Sequence, residues 1–301
     1  METQDISVII LTFNEEIHIE RCIKSVQAFA KHIFIVDSYS TDSTVELAKS
    51  LGAQVYQNKW TNHAIQVNWA LDNLPIETKW VFRLDADEFV TNELGNEISE
   101  RMSLLPESVT GLYLTRRVFF MGRWIRHGCY YPISFLRIWR HGHGRCEERW
   151  MDEHMKLTDG DAIKFEFDFV DDNKRSLGWW TEKHNGYATR EAIETLNLQY
   201  NLFTSDAVEP DFFGTGEQRK RWLKNLYLSI PLFLRPVIYF CYRYFLKRGF
   251  LDGREGLVCH FLQGFWYRFL VDAKIYEIRR AGRFTPIGIK AALHEIYSIK
   301  V

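Results

Sequence analysis

The first hundred residues alternate short apolar runs with longer segments of helical periodicity, and this alternation constrains the fold more than any other feature. Buried strands are predicted at residues 7–11, 33–36, 54–56 and 80–84. Helices are predicted between them at residues 15–30, 43–51 and 64–74. Strands separated by helices of this length predict an α/β fold with a doubly wound, mostly parallel sheet and right-handed crossovers.

Polar residues follow three of these strands. Residues 12–16 follow the first, Asp37 and Ser38 follow the second, and residues 85–87 follow the fourth. Ligands of doubly wound sheets bind beyond the carboxyl ends of the strands. We therefore expect the three polar clusters to meet at one edge of the sheet and to form a ligand site.

Asp85 and Asp87 are two carboxylates one residue apart, directly after a predicted strand. Such a pair offers hard oxygen ligands to Mg²⁺ or Mn²⁺, which proteins often hold with one or two carboxylates plus substrate phosphates. A solvated acidic turn is the alternative, and the position at a strand end favours the metal. Asp37 is placed to accept hydrogen bonds from a nucleobase or ribose, and Asp42 or Ser43 to cap the helix that follows.

Three segments, in their order along the chain, resemble the inverting family 2 glycosyltransferases. They are the first strand with Thr12-Phe13-Asn14-Glu15, residues 36–44 and residues 84–88. The subgroup that they resemble most builds bacterial lipopolysaccharide core, O-antigen or capsule. The match is dense over residues 5–95 and thin over the rest. The resemblance implies the GT-A fold, a nucleotide-sugar donor and a divalent metal, Mn²⁺ or Mg²⁺.

The resemblance also implies roles for individual residues. The donor site would consist of Thr12, Phe13, Asn14, Glu15, Asp37, Gln66, Asn68, Asp85 and Ala86. Thr12, Phe13 and Asn14 would line the base and ribose pocket. Asp87 would ligate the metal, with Asp85 beside it. For Gln66 and Asn68, which match a Gln-x-Asn pattern, the alternative is the exposed polar face of an amphipathic helix.

The chain departs from the subgroup at two positions. Many relatives have a second acid where this chain has Ser38, and in them that acid often binds the uracil base. The serine therefore weakens the expectation of uridine specificity. The subgroup often has a lysine where this chain has Val67, which removes a phosphate contact.

An inverting transfer needs a general base within reach of the acceptor hydroxyl. The resemblance places the base within residues 147–154, and Glu153 is our first candidate, with Asp152 second. His154 is a candidate metal ligand or orienting partner, and a structural histidine is the alternative. A charged surface loop is the alternative for the whole segment.

The last third of the chain is predicted to be helical from about residue 188, with one helix at 264–281. Eight lysines and arginines between residues 219 and 248 are interleaved with aromatic residues, which suits the headgroup region of an anionic membrane. The alternatives are packing on the sheet and a dimer interface. Residues 226–242 are interrupted by prolines, which predicts an interfacial or re-entrant segment. Gln218, Arg221 and Trp222 resemble the Gln-x-x-Arg-Trp motif of processive synthases.

Composition narrows the functional classes. The net charge of −1 gives no general attraction to nucleic acid, and no nucleic-acid partner is expected. Five cysteines without a Cys-x-x-Cys pair suit a reducing cytoplasm. No secretory signal is expected at the start of the chain. The sequence leaves the oligomeric state open.

Together these features predict a GT-A catalytic domain at 1–187 and a helical, membrane-associating region at 188–301. Residues 1–100 would be the nucleotide-sugar half and 101–187 the acceptor half. The predicted enzyme moves a sugar from a UDP-sugar to a lipid-linked or lipopolysaccharide-type acceptor on the cytoplasmic face of the inner membrane. The alternatives are a non-catalytic membrane scaffold and a sugar nucleotidyltransferase. The latter is disfavoured because no glycine-rich loop follows the first strand.

Overall fold

The computed structural model describes residues 3–147, 154–202 and 216–299. The chain divides into two compact units, Met1–Lys174 and Arg175–Val301. Among the described helices, none combines the length and the apolar character that a bilayer crossing requires. The predicted division at residue 187 stays a prediction.

In its described residues, unit 1 has a nine-stranded mixed sheet, a second sheet formed by two short strands, and four α-helices. Its strands are β1 (Gln4–Thr12), β2 (Ala30–Asp37), β3 (Gln54–Gln57), β4 (Trp80–Asp85), β5 (Glu88–Val90), β6 (Val109–Phe120), β7 (Arg123–Ile125), β8 (Ile133–Arg140), β9 (Gly144–Cys146), β10 (Met155–Leu157) and β11 (Asp161–Asp172). Its helices are α1 (Ile19–Val26), α2 (Thr44–Ser50), α3 (His63–Asn73) and α4 (Asn92–Arg101). The second sheet is formed by β9 and β10.

The strand order of the main sheet is β3-β2-β1-β4-β8-β6-β11-β5, with β7 paired to β6. The half formed by β1 to β4 is entirely parallel, as the sequence predicts. Antiparallel β8 joins β4 to β6, β6 and β11 are parallel, and β5 closes the edge antiparallel to β11. The carboxyl ends of β1, β2 and β4 therefore lie side by side at one edge.

Alternate residues of β1 enter two different cores, which explains its continuous apolar run. Ile6, Val8 and Ile10 pack in the core that includes residues of α1 and α4. Ile9 packs on the other face, in the core that includes Val67 of α3. Burial on both faces thus fixes β1 as a central strand.

Several predicted boundaries need correction. The helix predicted at 15–30 is shorter, Ile19–Val26, because a turn precedes it and Ala30 already pairs in β2. The helical part of the chain begins at Leu177 and not at about 188. The helix predicted at 264–281 runs from Tyr267, and a π-helical segment precedes it.

Unit 2 is helical. Its helices are α5 (Leu177–Tyr200), α6 (Gly216–Ser229), α7 (Leu234–Cys241), α8 (Gly253–Cys259), α9 (Tyr267–Ala281) and α10 (Pro286–Tyr297). Short segments complete it: the π-helical Tyr242–Leu246 and His260–Trp266, and the 3₁₀ turn Gly249–Asp252. Its core includes Leu196 of α5, Ile275 of α9 and Leu293 of α10.

A buried ion pair fastens α7 to α9. Arg235 Nε donates to Asp272 Oδ1 at 2.7 Å, and both side chains are buried. The backbone N–H of Phe233 donates to the other oxygen of Asp272 at 2.8 Å. Asp272 therefore pairs with a buried guanidinium and also accepts a hydrogen bond at the start of α7.

Candidate active site

Asp37 joins the carboxyl ends of β1 and β2. Its buried carboxylate accepts hydrogen bonds from Thr12 Oγ1 at 2.9 Å, from the Ser40 N–H at 2.9 Å and from Ser40 Oγ at 2.5 Å. Both oxygens are thus engaged by the protein's own loops. A direct contact of Asp37 with a base or ribose stays a prediction.

The loop after β1 presents Phe13 to solvent. The Phe13 side chain is 56% exposed, whereas Asn14 beside it is fixed in the left-handed region at φ 56°. The Asn14 N–H donates to Ser40 Oγ at 2.8 Å, and Asn14 Oδ1 accepts from the Thr41 N–H at 2.8 Å. The Glu15 N–H donates to Thr44 Oγ1 at 2.7 Å. The loop is therefore preorganised, with an aromatic ring free to stack on a planar ligand.

Gln66 and Asn68 do not form an exposed polar face, so that alternative is wrong. Gln66 is buried, and its Nε2 donates to Ser38 Oγ at 3.1 Å. Asn68 is buried as well, and its amide makes two 3.0 Å hydrogen bonds with the backbone of Cys146. α3 thus uses both amides to position neighbouring segments, and their contact with the donor stays a prediction.

Asp85 ends β4 among positive charges. One guanidinium nitrogen of Arg83 donates to both Asp85 oxygens at 2.8 Å each. Arg137 Nη2 lies 3.6 Å and His63 Nε2 3.9 Å from the Asp85 carboxylate. Burial alone would raise the pKa of Asp85, but Arg83 and Arg137, with His63, hold that pKa well below its usual range. Asp85 is therefore a carboxylate at neutral pH.

Asp87 is held by the segment that follows β11. Asn173 Nδ2 donates to Asp87 Oδ2 at 2.9 Å. The Asp87 carbonyl accepts from the Asp172 N–H at 3.1 Å and from Arg21 Nη2 at 3.3 Å. Ala86 between the two acids is buried, which fixes the turn from inside. The Asp-x-Asp pair is thus clamped by groups far away in sequence.

The start of α1 and the residue before it hold that same segment. Arg21 donates to the carboxylate and to the carbonyl of Asp172, both at 2.7 Å. Buried His18 accepts from the Lys174 N–H through Nε2 at 2.8 Å. Nδ1 therefore has the proton that bonds Glu15 Oε2 at 2.6 Å. Residues 172–174 are thereby linked to the donor loop.

Sequence reasoning missed these supporting residues. The alternation of Ile163, Phe165, Phe167 and Phe169 at period two was the available signal for β11. Once β11 is placed parallel to β6, its end reaches the same sheet edge as Asp87. The identity of the contacting side chains depends on the register of β11 and had no local signal.

Two further acids share this edge. Burial raises the pKa of Glu88 to about 8, with the charges of Asp85 and Asp171 adding to the effect and Arg137 opposing it. Glu88 accepts from the Asp85 N–H at 2.9 Å and from Arg137 Nη2 at 2.5 Å. Burial and then the charge of Asp87 raise the pKa of Asp171 to about 6. Acids and arginines thus alternate at this edge, and the acids lie close enough to raise one another's pKa.

The donor set suits a hard divalent cation. Asp85 and Asp87 offer carboxylate oxygens, and magnesium sites are commonly completed by water and phosphate oxygens. Within the described parts of the chain, no three histidine, cysteine, aspartate or glutamate side chains are arranged as a metal site. Asp85 and Asp87 are thus the two carboxylates available to such a cation, and the role of His154 as a metal ligand stays a prediction.

The predicted base lies outside the described residues. Glu153 and Asp152 belong to residues 148–153, which connect β9 to β10. His154, directly after them, is exposed, and its carbonyl accepts from the Glu147 N–H at 3.0 Å. The side chains of Gln218 and Arg221 also lie outside the described set. The roles predicted for Glu153, Asp152, Gln218 and Arg221 stay predictions.

Residues 7–146 match the family described as Glycosyl transferase family 2. The chain contains a family 2 glycosyl transferase domain. The resemblance to family 2 drawn from the strand-end motifs is confirmed, and with it the prediction of a glycosyltransferase. The matched residues include every donor and metal candidate except His154.

The similarity to two relatives extends beyond this family 2 domain. The chain is 26% identical over 285 residues to an "uncharacterized glycosyltransferase" of Rickettsia bellii (strain RML369-C), covering 92% of this chain and 87% of the relative. It is 28% identical over 277 residues to the "lipopolysaccharide core biosynthesis glycosyltransferase LpsC" of Rhizobium meliloti (strain 1021), covering 90% and 92%.

A solved structure is similar over part of the chain. It is glucosyl-3-phosphoglycerate synthase from Mycobacterium tuberculosis in complex with Mn²⁺, UDP and glucosyl-3-phosphoglycerate. The sequences are 22% identical, with a TM-score of 0.31. The overlap covers 39% of this chain and 44% of that one, so this chain spans less than half of the solved protein.

Proposed function

We propose that the chain transfers a sugar, with inversion, from a nucleoside-diphosphate donor to a hydroxyl of a lipid-linked or lipopolysaccharide-type glycan. The observation behind this proposal is the meeting of a preorganised β1 loop and the clamped Asp85–Asp87 pair at adjacent strand ends. A UDP-sugar is the proposed donor.

The β1 loop would bind the nucleoside. Phe13 offers an exposed ring for stacking on the base, and Asn14 fixes the loop that holds this ring. Asp85 and Asp87 would hold Mg²⁺ or Mn²⁺, which supplies positive charge to a departing diphosphate. Arg83 and Arg137 keep Asp85 ionised and so maintain the oxygen ligand.

Glu153, with Asp152 as the second candidate, would act as general base. Its carboxylate takes the proton of the acceptor hydroxyl as that oxygen bonds the anomeric carbon. The bond from the anomeric carbon to the phosphate oxygen breaks on the opposite face, and the nucleoside diphosphate leaves. This arrangement gives inversion at the anomeric carbon.

The acceptor class is supported by the relative described as a lipopolysaccharide core biosynthesis enzyme, which aligns over 90% of this chain. An acceptor of this kind is attached to lipid and is presented at a membrane surface. We therefore propose that the enzyme works peripherally on the cytoplasmic face of the inner membrane.

Thermal unfolding with UDP, GDP, CMP and dTDP, each with and without Mn²⁺, tests the donor site. A ligand that binds the native state raises its stability by about 2.7 kcal/mol at a hundred times its Kd. We expect one nucleotide, UDP, to stabilise the protein only with Mn²⁺, and Asp87→Ala to abolish that shift. Absence of any shift in the wild type would favour the non-catalytic scaffold.

A further inference from the structure

Residues 234–266 of unit 2 form a helical hairpin. α7 and the π-helical Tyr242–Leu246 make its first arm, and α8 and His260–Trp266 make its second. The arms pack through rings: Phe240 lies 6.3 Å from Phe261 and 6.4 Å from Phe265, between centroids. Residues 247–252 join the arms and are called the tip here.

The hairpin buries several polar side chains and exposes several large apolar ones. Four of its polar residues, Arg235, Arg243, Asp252 and His260, are buried. Large apolar side chains of both arms face solvent instead: Leu234, Val237, Ile238, Phe245, Leu246 and Leu257. Single exposed apolar residues are common on soluble proteins, but six large ones within one hairpin indicate a surface suited to binding.

The tip has a fixed shape. A Cβ at Gly249 would lie 2.5 Å from His260 Nε2, so the tip packs closely on the second arm. The Lys247 N–H donates to the Tyr242 carbonyl at 2.9 Å, and the Leu251 N–H to the Arg248 carbonyl at 3.0 Å. The apolar side chains at the tip are therefore held on a hydrogen-bonded turn.

Positive charge surrounds these apolar residues. Lys247 and Arg248 are exposed, and neither forms an ion pair with a residue that the structure describes. Of the hairpin's five lysines and arginines, Arg235 and Arg243 are buried and the other three are exposed; of its two acids, Asp252 is buried and Glu255 is half-buried. Exposed cations beside exposed leucine and phenylalanine complement an anionic lipid surface, which takes up both.

We infer that the hairpin docks on a membrane rich in anionic lipids. Leu246, which is 75% exposed, enters the interface with Phe245, Phe250 and Leu251. Lys247 contacts lipid phosphates beside them. The inference rests on the proposed membrane location, but it requires neither the donor nor the metal.

Vesicle flotation of the full-length protein tests this inference. We expect strong binding to equimolar phosphatidylcholine and phosphatidylglycerol, weakened by salt, and weak binding to phosphatidylcholine alone. Lys247→Glu with Arg248→Glu should lower partitioning at least about twentyfold, since each cation near an anionic surface contributes about 1 kcal/mol. Leu246→Ser should lower it about tenfold.

Matched controls lie on α10. Ile287→Ser removes an apolar side chain that is 85% exposed, and Lys290→Glu reverses an exposed charge. Both should bind vesicles as the wild type does, and so should Asp87→Ala, which separates docking from transfer. Equal binding to both vesicle types, or tip variants that bind like these controls, would overturn the inference. A tip-dependent dimer without vesicle binding would assign the surface to a second copy and overturn it too.

Discussion

Replacing Asn173 with alanine removes the amide that donates to Asp87 Oδ2 at 2.9 Å. Because Asp87 is partly exposed, water can replace the lost hydrogen bond, and the stability loss should stay near 1 kcal/mol. The effect on metal affinity should be larger, because the freed carboxylate samples other rotamers. Residues that orient a ligating carboxylate typically contribute about 10- to 100-fold in metal affinity.

The assay is calorimetric titration of Mn²⁺ into the protein with saturating UDP. We expect the Kd for Mn²⁺ in Asn173→Ala to rise by about 10- to 100-fold. Asn96→Ala is the control, because Asn96 is an exposed asparagine of α4 in the same unit. Its Kd should equal that of the wild type.

An unchanged Kd in Asn173→Ala would show that Asn173 does not orient Asp87 for the metal. If Asp87→Ala still lost Mn²⁺ binding, Asp87 would remain the ligand and its orientation would not depend on Asn173. If Asp87→Ala also bound Mn²⁺ normally, the metal site itself would be wrongly assigned.

Three further predictions concern the surrounding charges. Arg21→Lys should weaken Mn²⁺-dependent UDP binding. A lysine cannot reproduce the two guanidinium nitrogens that donate to Asp172 and to the Asp87 carbonyl. The thermal shift induced by UDP with Mn²⁺ measures this. Asp272→Ala should lower the free energy of unfolding by about 3–5 kcal/mol in urea, since it leaves a buried guanidinium unpaired, and an unaltered urea midpoint would contradict this. The raised pKa of Glu88, about 8, means that the unfolded chain releases this proton at lower pH than the folded one. Stability should therefore fall as pH rises from 5 to 8, by roughly 3 kcal/mol from this group. Glu88→Gln should flatten that part of the profile, and identical profiles would exclude Glu88 as its source.

The parallel half of the sheet was predictable because its signals are local. Each of β1, β2 and β4 is an apolar run, and burial on both faces requires such a run wherever the strand lies in the sheet. The same apolar runs predicted where each strand ends, and so which polar residues lie at the strand ends. Asp85 and Asp87 could therefore be assigned to the site edge from sequence order alone.

The inward orientation of α3 was not predictable in the same way. Gln66 and Asn68 look like a polar helix face in the sequence, yet both are buried by contacts with other segments. An amide is tolerated in a core when its hydrogen bonds are satisfied, and that depends on which loops pack around it.

The sequence alone determined the order of strands and helices in the first hundred residues and the placement of acids at the strand ends. Both follow from local patterns of apolar residues and from the direction of the chain. Tertiary structure alone decided which groups orient those acids. Asn173 lies 86 residues from Asp87, and Arg21 lies 151 residues from Asp172. Such pairs form only after β11 adopts its register against β6, and register is a property of the assembled sheet.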